Sequence, residues 1–307
     1  MPKDVYLQPD APDPVLDSDL VLSLAGRHVS GLQSITAIDE SGGEARVYVV
    51  DDSIIVKTQR PHRLRPRTSL AKETVFLDAL KDQGIAVPRV LGYGREGFIE
   101  YIVMTRIPGV AVIHASIPPQ ARQQMLFQLG RTLARIHAVP QAPFLESGLF
   151  PTEMAHDTFR DHVAEVLLEG ARRIYDFGIH WPIAGLTPDD LVRRATDALP
   201  RTPLRTAIHS NPGPTHTFVD PVTGEFQGLI DFGDAFVTHP AWDLRRWTPR
   251  EREALLAGYE ADRTVEAAFL QTFPIIGLAV DLVQLASDKA AIRQAAEADL
   301  TETMASL

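Results

Sequence analysis

Between residues 207 and 247 the chain reads AIHSNPGPTHTFVDPVTGEFQGLIDFGDAFVTHPAWDLRRW, and this stretch concentrates the side chains that could do chemistry. Phe218-Val219 is a short apolar run, and Asp220-Pro221-Val222-Thr223-Gly224 is turn chemistry. Residues 226–230 form a second extended run. It stops at Asp231-Phe232-Gly233, where a carboxylate is followed closely by a glycine free to take unusual dihedrals. A hairpin of this form brings Asn211, His216 and Asp231 towards one end. Such a cluster of polar groups suits a site where a divalent ion holds phosphate oxygens.

The same residues resemble the catalytic segment of the aminoglycoside phosphotransferase family, the small-molecule branch of the protein-kinase-like fold. That family shows His-Gly-Asp, an Asn five positions after the Asp, then Ile-Asp-x-x-x-Ala and a later Asp-Leu. Here the pattern is His209-Ser210-Asn211, His216, Ile230-Asp231-Phe232-Gly233-Asp234-Ala235 and Asp243-Leu244, in frame and without gaps. The resemblance implies an α+β, bilobal fold. A small antiparallel sheet lobe with one helix, residues 1–108, would cover a nucleotide. A larger, mainly helical lobe, residues 109–307, would carry the catalytic loop, metal site and acceptor site. It further implies that Asp231 holds Mg²⁺, or Mn²⁺ in its place, against ATP or GTP, that Asp243 and His209 support the catalytic loop, and that Asp234 stands either as an outer partner of the ion or on the solvated surface.

Two positions depart from the family pattern. Asn211 stands at the position of the catalytic Asp, and its amide can orient a hydroxyl but cannot take its proton at neutral pH. His216 stands at the position of a metal-binding Asn, and its nitrogen suits Mn²⁺ or Zn²⁺ better than Mg²⁺. His216 as a substitute base is the other reading. Two functions follow. One is a phosphotransferase acting on a hydroxyl of a small acceptor. The other is a protein on the same fold that binds nucleotide or a small ligand without transfer.

Composition bounds the rest. The 307 residues suffice for two lobes, and 45% hydrophobic with 23% charged residues is a globular balance. The absence of cysteine excludes disulfides, thiolate metal sites and a cysteine nucleophile, and suits a cytoplasmic setting. The first residues, Met1-Pro2-Lys3-Asp4, lack the apolar core of a signal peptide. The most apolar late run, residues 273–286, is broken by Pro274, Gly277 and Asp281, and is expected to be a buried helix rather than a membrane span. A net charge of -10 argues against non-specific nucleic-acid binding and tolerates a cationic acceptor.

The elements that must position these groups follow in order. A helix is expected over residues 17–28, then strands over 34–38, 45–50 and 54–58. Ser41-Gly42-Gly43-Glu44 lies between the first two strands; alone it is a hairpin turn, but with Lys57 on the next hairpin Gly42 and Gly43 are expected to cover the nucleotide. Residues 60–72 form a basic stretch, read either as a mobile, solvated linker or as a surface that attracts phosphate or an acidic substrate. A helix over 69–83 carries Glu73, which the resemblance pairs with Lys57. Strands over 87–93 and 99–106 lead to a hinge, where the backbone of Thr105, Arg106 and Ile107 would face adenine, and Pro108-Gly109 marks the lobe junction. Helices are then expected over 119–138, ending at a structural His137, over 153–175, over 188–199, over 249–261 and over 265–300. On the 153–175 helix Asp157, Asp161, Glu165 and Glu169 share one face; this is either a solvated face or, as the resemblance suggests, a surface for ammonium groups of the acceptor.

Overall fold

The computed structural model describes residues 13, 15–40, 43–60, 69–183, 185–287 and 289–307. Gly42 and residues 61–68 of the basic stretch therefore lie outside the described residues. The first helix, α1 (Ser18–Gly26), is capped by Asp17, whose side chain accepts from the Leu20 N–H. It covers one face of a five-stranded antiparallel sheet formed by β1 (Ile35–Asp39), β2 (Ala45–Val50), β3 (Ile54–Gln59), β4 (Val90–Glu96) and β5 (Ile99–Thr105), in the order β1-β2-β3-β5-β4. Val21 and Leu24 of α1 meet Tyr48, Val56, Tyr101 and Val103 of the sheet in a core of their own. Because side chains alternate along a strand, Ile55 and Lys57 of β3 face the other way. There α2 (Leu70–Ala79), capped by Ser69, lies against β4 and β5.

Strand β4 begins three residues later than the sequence suggests. The segment before it crosses towards the second lobe instead, where the Ala86 carbonyl accepts from the Leu229 N–H at 3.0 Å. After β5 the chain turns at Gly109, whose φ of +87° and approach to the Val219 carbonyl (2.1 Å from where a Cβ would stand) admit no side chain.

The second lobe opens with β6 (Val110–Ala111) and a 3-10 turn, Val112–His114. Helices α3 (Pro119–Ile136), α4 (Ala142–Glu146), α5 (His156–Asp176) and α6 (Pro188–Asp197) follow. Next come β7 (Thr206–Ile208), β8 (Thr217–Val219), β9 (Phe226–Leu229) and β10 (Phe236–Thr238). The turn Pro240–Leu244 and helices α7 (Pro249–Asp262), α8 (Ala267–Gln284) and α9 (Ala290–Ser306) complete it. β6, β8 and β9 form one small sheet, and β7 pairs with β10 in another. Helices α3 and α7 cross closely because Gly130 and Gly258 sit at the contact; a Cβ on Gly130 would stand 2.0 Å from the Leu255 carbonyl.

Two expectations for this lobe need correction. The helix expected from residue 153 begins at His156, because the Glu153 N–H donates to the Val237 carbonyl at 2.8 Å and its side chain turns inward to Thr238 and His162. The helical stretch expected over 265–300 is two helices, α8 and α9, packed on each other. By length and composition α8 is the one helix among the described residues apolar enough to cross a membrane. It packs instead against α5 and α9, and its fully buried Asp281 is ion-paired with Arg252 of α7.

Candidate active site

The two lobes meet at one ammonium group. Lys57 Nζ of β3 lies 2.8 Å from Glu73 Oε2 of α2 and 2.6 Å from Asp231 Oδ1, which follows β9 in the second lobe. Burial works against the charge on Lys57, but the carboxylates of Asp231 and Glu73 outweigh it and raise its pKa. Burial likewise pushes Asp231 up, and the Lys57 ammonium, helped by His216, overrides this and holds it below the usual carboxylate range. Glu73 is only 1% exposed, whereas Asp231 is 37% exposed. The other oxygen of Glu73 accepts from the Phe232 N–H at 3.3 Å, so one carboxylate ties the strand lysine to the backbone beyond Asp231.

Asp231 has φ +70°, a left-handed conformation that Asp tolerates better than most residues. Phe232 beneath it fixes that turn. Its ring is fully buried, 4.9 Å from Phe76 of α2 and 4.5 Å from His209. Phe76 in turn contacts Phe144 at 4.8 Å and Phe150 at 6.1 Å. This aromatic column joins α2, and so Glu73, to the turn at Asp231 that follows β9. Its phenylalanines stand far apart in the sequence, and no local pattern links them.

The loop from His209 to His216 is held from below. The buried Asp243 accepts from the His209 N–H at 2.8 Å, the Ser210 N–H at 2.7 Å and His137 Nε2 at 3.0 Å. His137 is held at its other nitrogen by the Tyr259 hydroxyl, 2.9 Å away. Burial keeps His209 neutral, its pKa pushed down to about 4. Its Nε2–H donates to the Ile230 carbonyl at 2.8 Å, and its Nδ1 accepts from the Asn211 N–H at 3.2 Å. Ser210, where the family pattern has Gly, takes φ +81°. Further along, the Pro212 carbonyl accepts from Trp247 Nε1 at 3.0 Å and the Pro214 carbonyl from the Ile113 N–H at 3.0 Å. Arg245, which sequence reasoning passed over, is buried over the Trp242 ring and donates to the Ser210 and Trp242 carbonyls. Burial, with Arg246 beside it, lowers its pKa well below the usual arginine value.

The sequence-predicted residues fall into two groups. Lys57, Glu73, His209, Asn211, His216, Asp231 and Asp243 are joined by the contacts above, with His216 Nδ1 2.8 Å from the Asn211 carbonyl and Nε2 3.3 Å from Asp231 Oδ2. At the hinge, the Thr105 N–H donates to Arg89 and the Arg106 N–H to Ser53, which leaves the Ile107 N–H as the uncommitted hinge donor among the described residues. Gly43 lies beyond β1 with open space around its Cα. Asp157, Asp161 and Glu165 stay on the exposed face of α5, whose packing partners are α6 and α8. Asp157 faces Arg201 at 3.8 Å and Glu169 faces Arg173 at 3.2 Å, both exposed pairs. Asp234 is half-buried in the turn after Asp231.

Among the described residues no group of three or more His, Asp or Glu side chains is arranged around one point. An ion held by Asp231, with or without His216, would therefore take most of its ligands from phosphate oxygens and water, as small divalent ions at triphosphates do.

Comparison with known proteins agrees with this architecture. A family model for the phosphotransferase enzyme family (APH) matches residues 35–270. The chain is similar to the GDP complex of an aminoglycoside 2'-phosphotransferase-IIIa, with TM-score 0.60 and 15% identity over 94% of this chain and 97% of that one. It is also similar to a macrolide 2'-phosphotransferase apoenzyme from Brachybacterium faecium, with TM-score 0.57 and 20% identity over 92% and 98%. A streptomycin–ATP–APH(2")-IIa ternary complex aligns with TM-score 0.54 and 12% identity over 95% and 98%. At these identities the likeness is one of fold. No curated protein sequence matches the chain significantly.

Proposed function

The chain belongs to the phosphotransferase enzyme family, and we propose that it moves the terminal phosphoryl group of ATP or GTP onto a hydroxyl of a small molecule. The observation that carries this reading is Lys57 held between Glu73 and Asp231 at the junction of the lobes. With a triphosphate in the cleft, the lysine ammonium would engage phosphate oxygens while Glu73 keeps it aimed. Asp231 would hold a divalent ion, which supplies neutralisation of the charge on the β- and γ-phosphates. The Ile107 N–H would meet the base at the hinge. Transfer of this kind depends mostly on positioning and electrostatics. Asn211 would orient the acceptor hydroxyl through its amide oxygen without taking the proton.

The acceptor class draws on relatives alone. Kanamycin, streptomycin and gentamicin complexes appear among the structural neighbours, all hydroxyl-rich cations. A net charge of -10 is compatible with such an acceptor. Purified protein with ATP or GTP, a divalent ion and a panel of hydroxylated amines and macrolides is expected to release nucleoside diphosphate only when an acceptor is present.

A second reading, nucleotide binding without transfer, is favoured by Asn211 itself. Asn211→Asp separates the two. On the transferase reading the variant gains about 10²–10⁴ in rate, the usual worth of a general base. A wild type and a variant that both bind nucleotide yet transfer nothing across the panel would establish the second reading. A melting temperature that nucleotide does not raise, with or without a divalent ion, would remove both.

A further inference from the structure

At its far end from the His209 loop, the β7–β10 pair carries donors that have nothing to donate to. The register sets Thr206 opposite Thr238, so Arg205 and His239 are neighbours at that end. The Glu153 N–H donates to the Val237 carbonyl, which brings the start of α5 to the same place. Phe159 in the first turn of α5 lies under the Arg205 guanidinium, 5.0 Å from Cζ, and its ring stacks with His239 at 5.6 Å. The guanidinium donates only to neutral carbonyls: Nε to Glu153 at 2.6 Å, and Nη1 to Thr202 at 3.1 Å and Leu204 at 2.7 Å. Arg205 Nη2 is buried and donates to nothing among the described residues. Glu153 is the carboxylate whose charge reaches this arginine, but its oxygens are taken by His162 and Thr238, each at 2.6 Å. Two histidines nearby are in a similar state. Fully buried His239 accepts from the Ala241 N–H at Nδ1, so in the neutral ring Nε2 carries the proton, and that Nε2 has no acceptor. His156, the first residue of α5, has a buried Nδ1 without a partner. α5 begins with no side-chain cap, so the N–H groups of its first turn are unmet as well.

Every unmet group here is a donor or can act as one, and buried donors are costly to leave unmet. That set excludes a cation. A water molecule would satisfy one donor but would leave the Arg205 charge without a counter-charge. A guanidinium, imidazole rings and a helix start offer bonds from several directions, which suits a tetrahedral oxyanion better than a planar carboxylate. We propose that Arg205, His156 and the start of α5, backed by His239, form a second ligand site that binds a phosphate group, free or carried on a small molecule. Arg201 stands at its rim, 79% exposed and held only by Asp157 at 3.8 Å. Burial and the charges of Arg201 and Arg205 lower the pKa of His156, in keeping with a cluster short of negative charge. The site is separate from the cleft. Arg205 precedes His209 by four residues, about 13 Å of extended chain. The two are nevertheless joined, because β7 runs from Arg205 to His209 and the turn after His239 carries Asp243, which holds the His209 N–H.

The test follows the histidine ring resonances of the full chain, without nucleotide, as inorganic phosphate replaces chloride at constant ionic strength. The His156 signal, assigned through His156→Gln, is expected to shift saturably. In Arg205→Gln the apparent affinity should fall at least about tenfold, the usual loss when a charge-assisted bond is removed. Arg205 also holds three carbonyls, so Arg201→Gln serves as a second variant on the exposed rim. It should keep the wild-type melting temperature and weaken phosphate binding about two- to fivefold. Glycerol phosphate binding more tightly than inorganic phosphate assigns the site to a phosphate ester, and the reverse order assigns it to free phosphate; either supports the proposal. The absence of a saturable shift at His156, or an unchanged affinity in both variants, is what a buried water alone would give and overturns it. Acetate binding as tightly as phosphate overturns it too. So does a shift confined to His209 and His216, which would put the phosphate in the cleft. Phosphoryl transfer is read separately, from release of nucleoside diphosphate, so the failure of either reading leaves the other standing.

Discussion

Replacing Lys57 by Met tests whether the ammonium is as central as the geometry makes it. The substitution keeps most of the side-chain volume and deletes one charge between two carboxylates at 2.8 and 2.6 Å. The two carboxylates respond differently. Asp231 is 37% exposed and can recover solvent, so its share of the penalty is small. Glu73 is 1% exposed and keeps only the Phe232 N–H, at 3.3 Å. Stranding one member of a buried pair costs about 3–5 kcal/mol. The expected loss in Lys57→Met is therefore of that size, falling almost wholly on Glu73. Glu73 can reduce it by taking a proton, because burial already pushes its carboxyl up and Lys57 is the main opposing influence. The sign follows. In the variant the folded chain holds a proton that the unfolded chain releases above about pH 4.3. The deficit relative to wild type should thus shrink as pH falls from 7 towards that value. Adding Glu73→Gln should recover about 2 kcal/mol or more at pH 7, since no buried charge remains. Urea unfolding of the three proteins at pH 7 and 5 reads both effects, and nucleotide-induced thermal shift reads function. Nucleotide binding should be lost in Lys57→Met and stay lost in the double variant. A double variant no more stable than the single one, or a Lys57→Met that binds nucleotide like wild type, would refute the reasoning.

Three further outcomes follow from the packing and backbone. Gly130→Ala should lower stability by about 2–3 kcal/mol, because its Cβ would stand 2.0 Å from the Leu255 carbonyl and force α3 from α7. Gly26→Ala in α1 meets nothing within 4 Å and should stabilise by up to about 1 kcal/mol, so paired melting curves isolate the clash. Ser210→Gly should stabilise by up to about 1 kcal/mol by relieving φ +81°, with the midpoint of urea unfolding as the measure. Stability should fall as pH drops from about 6.5. Burial holds His239 neutral with its pKa down at about 3, so the unfolded chain binds the proton first. The loss from this residue is at most about 5 kcal/mol, complete only below about pH 3, and is read from unfolding midpoints between pH 7 and 4.

The parts of the site legible in the sequence were those whose residues break a local pattern. Lys57 ends an apolar strand, and Asp231 ends the run before a glycine-containing turn, so each is marked by its neighbours. The β8–β9 hairpin was legible because residues 220–224 leave little but a turn: the Asp220 side chain accepts from the Val222 and Thr223 N–H groups. What escaped was structure made by partners remote in the chain. β7 and β10 have three residues each and exist because Thr206, Ala207 and Ile208 face Thr238, Val237 and Phe236. The start of α5 was misplaced because Glu153 serves β10 rather than the helix. The column from Phe150 through Phe76 to Phe232 has no sequence period at all. The acidic face of α5 shows the converse. Helical spacing put Asp157, Asp161 and Glu165 together, yet spacing alone does not say which way a face points, and it points to solvent.

The two departures from the family pattern in the loop from His209 to His216 therefore have a particular meaning. His216 faces Asp231, and the loop that carries Asn211 and His216 is braced from behind. Asp243 holds the amides of His209 and Ser210, Trp247 holds Pro212, and Ile113 holds Pro214. His216 itself joins the bracing through the Asn211 carbonyl. A loop held this firmly does not need a carboxylate at 211 to keep its shape, so under the proposed function the exchange of Asp for Asn would change proton transfer without disturbing position. In a reaction driven largely by positioning and charge, that is the smaller of the two losses. The larger would be the loss of Lys57 or Asp231, and both stand within 2.6 Å of each other across the junction of the lobes.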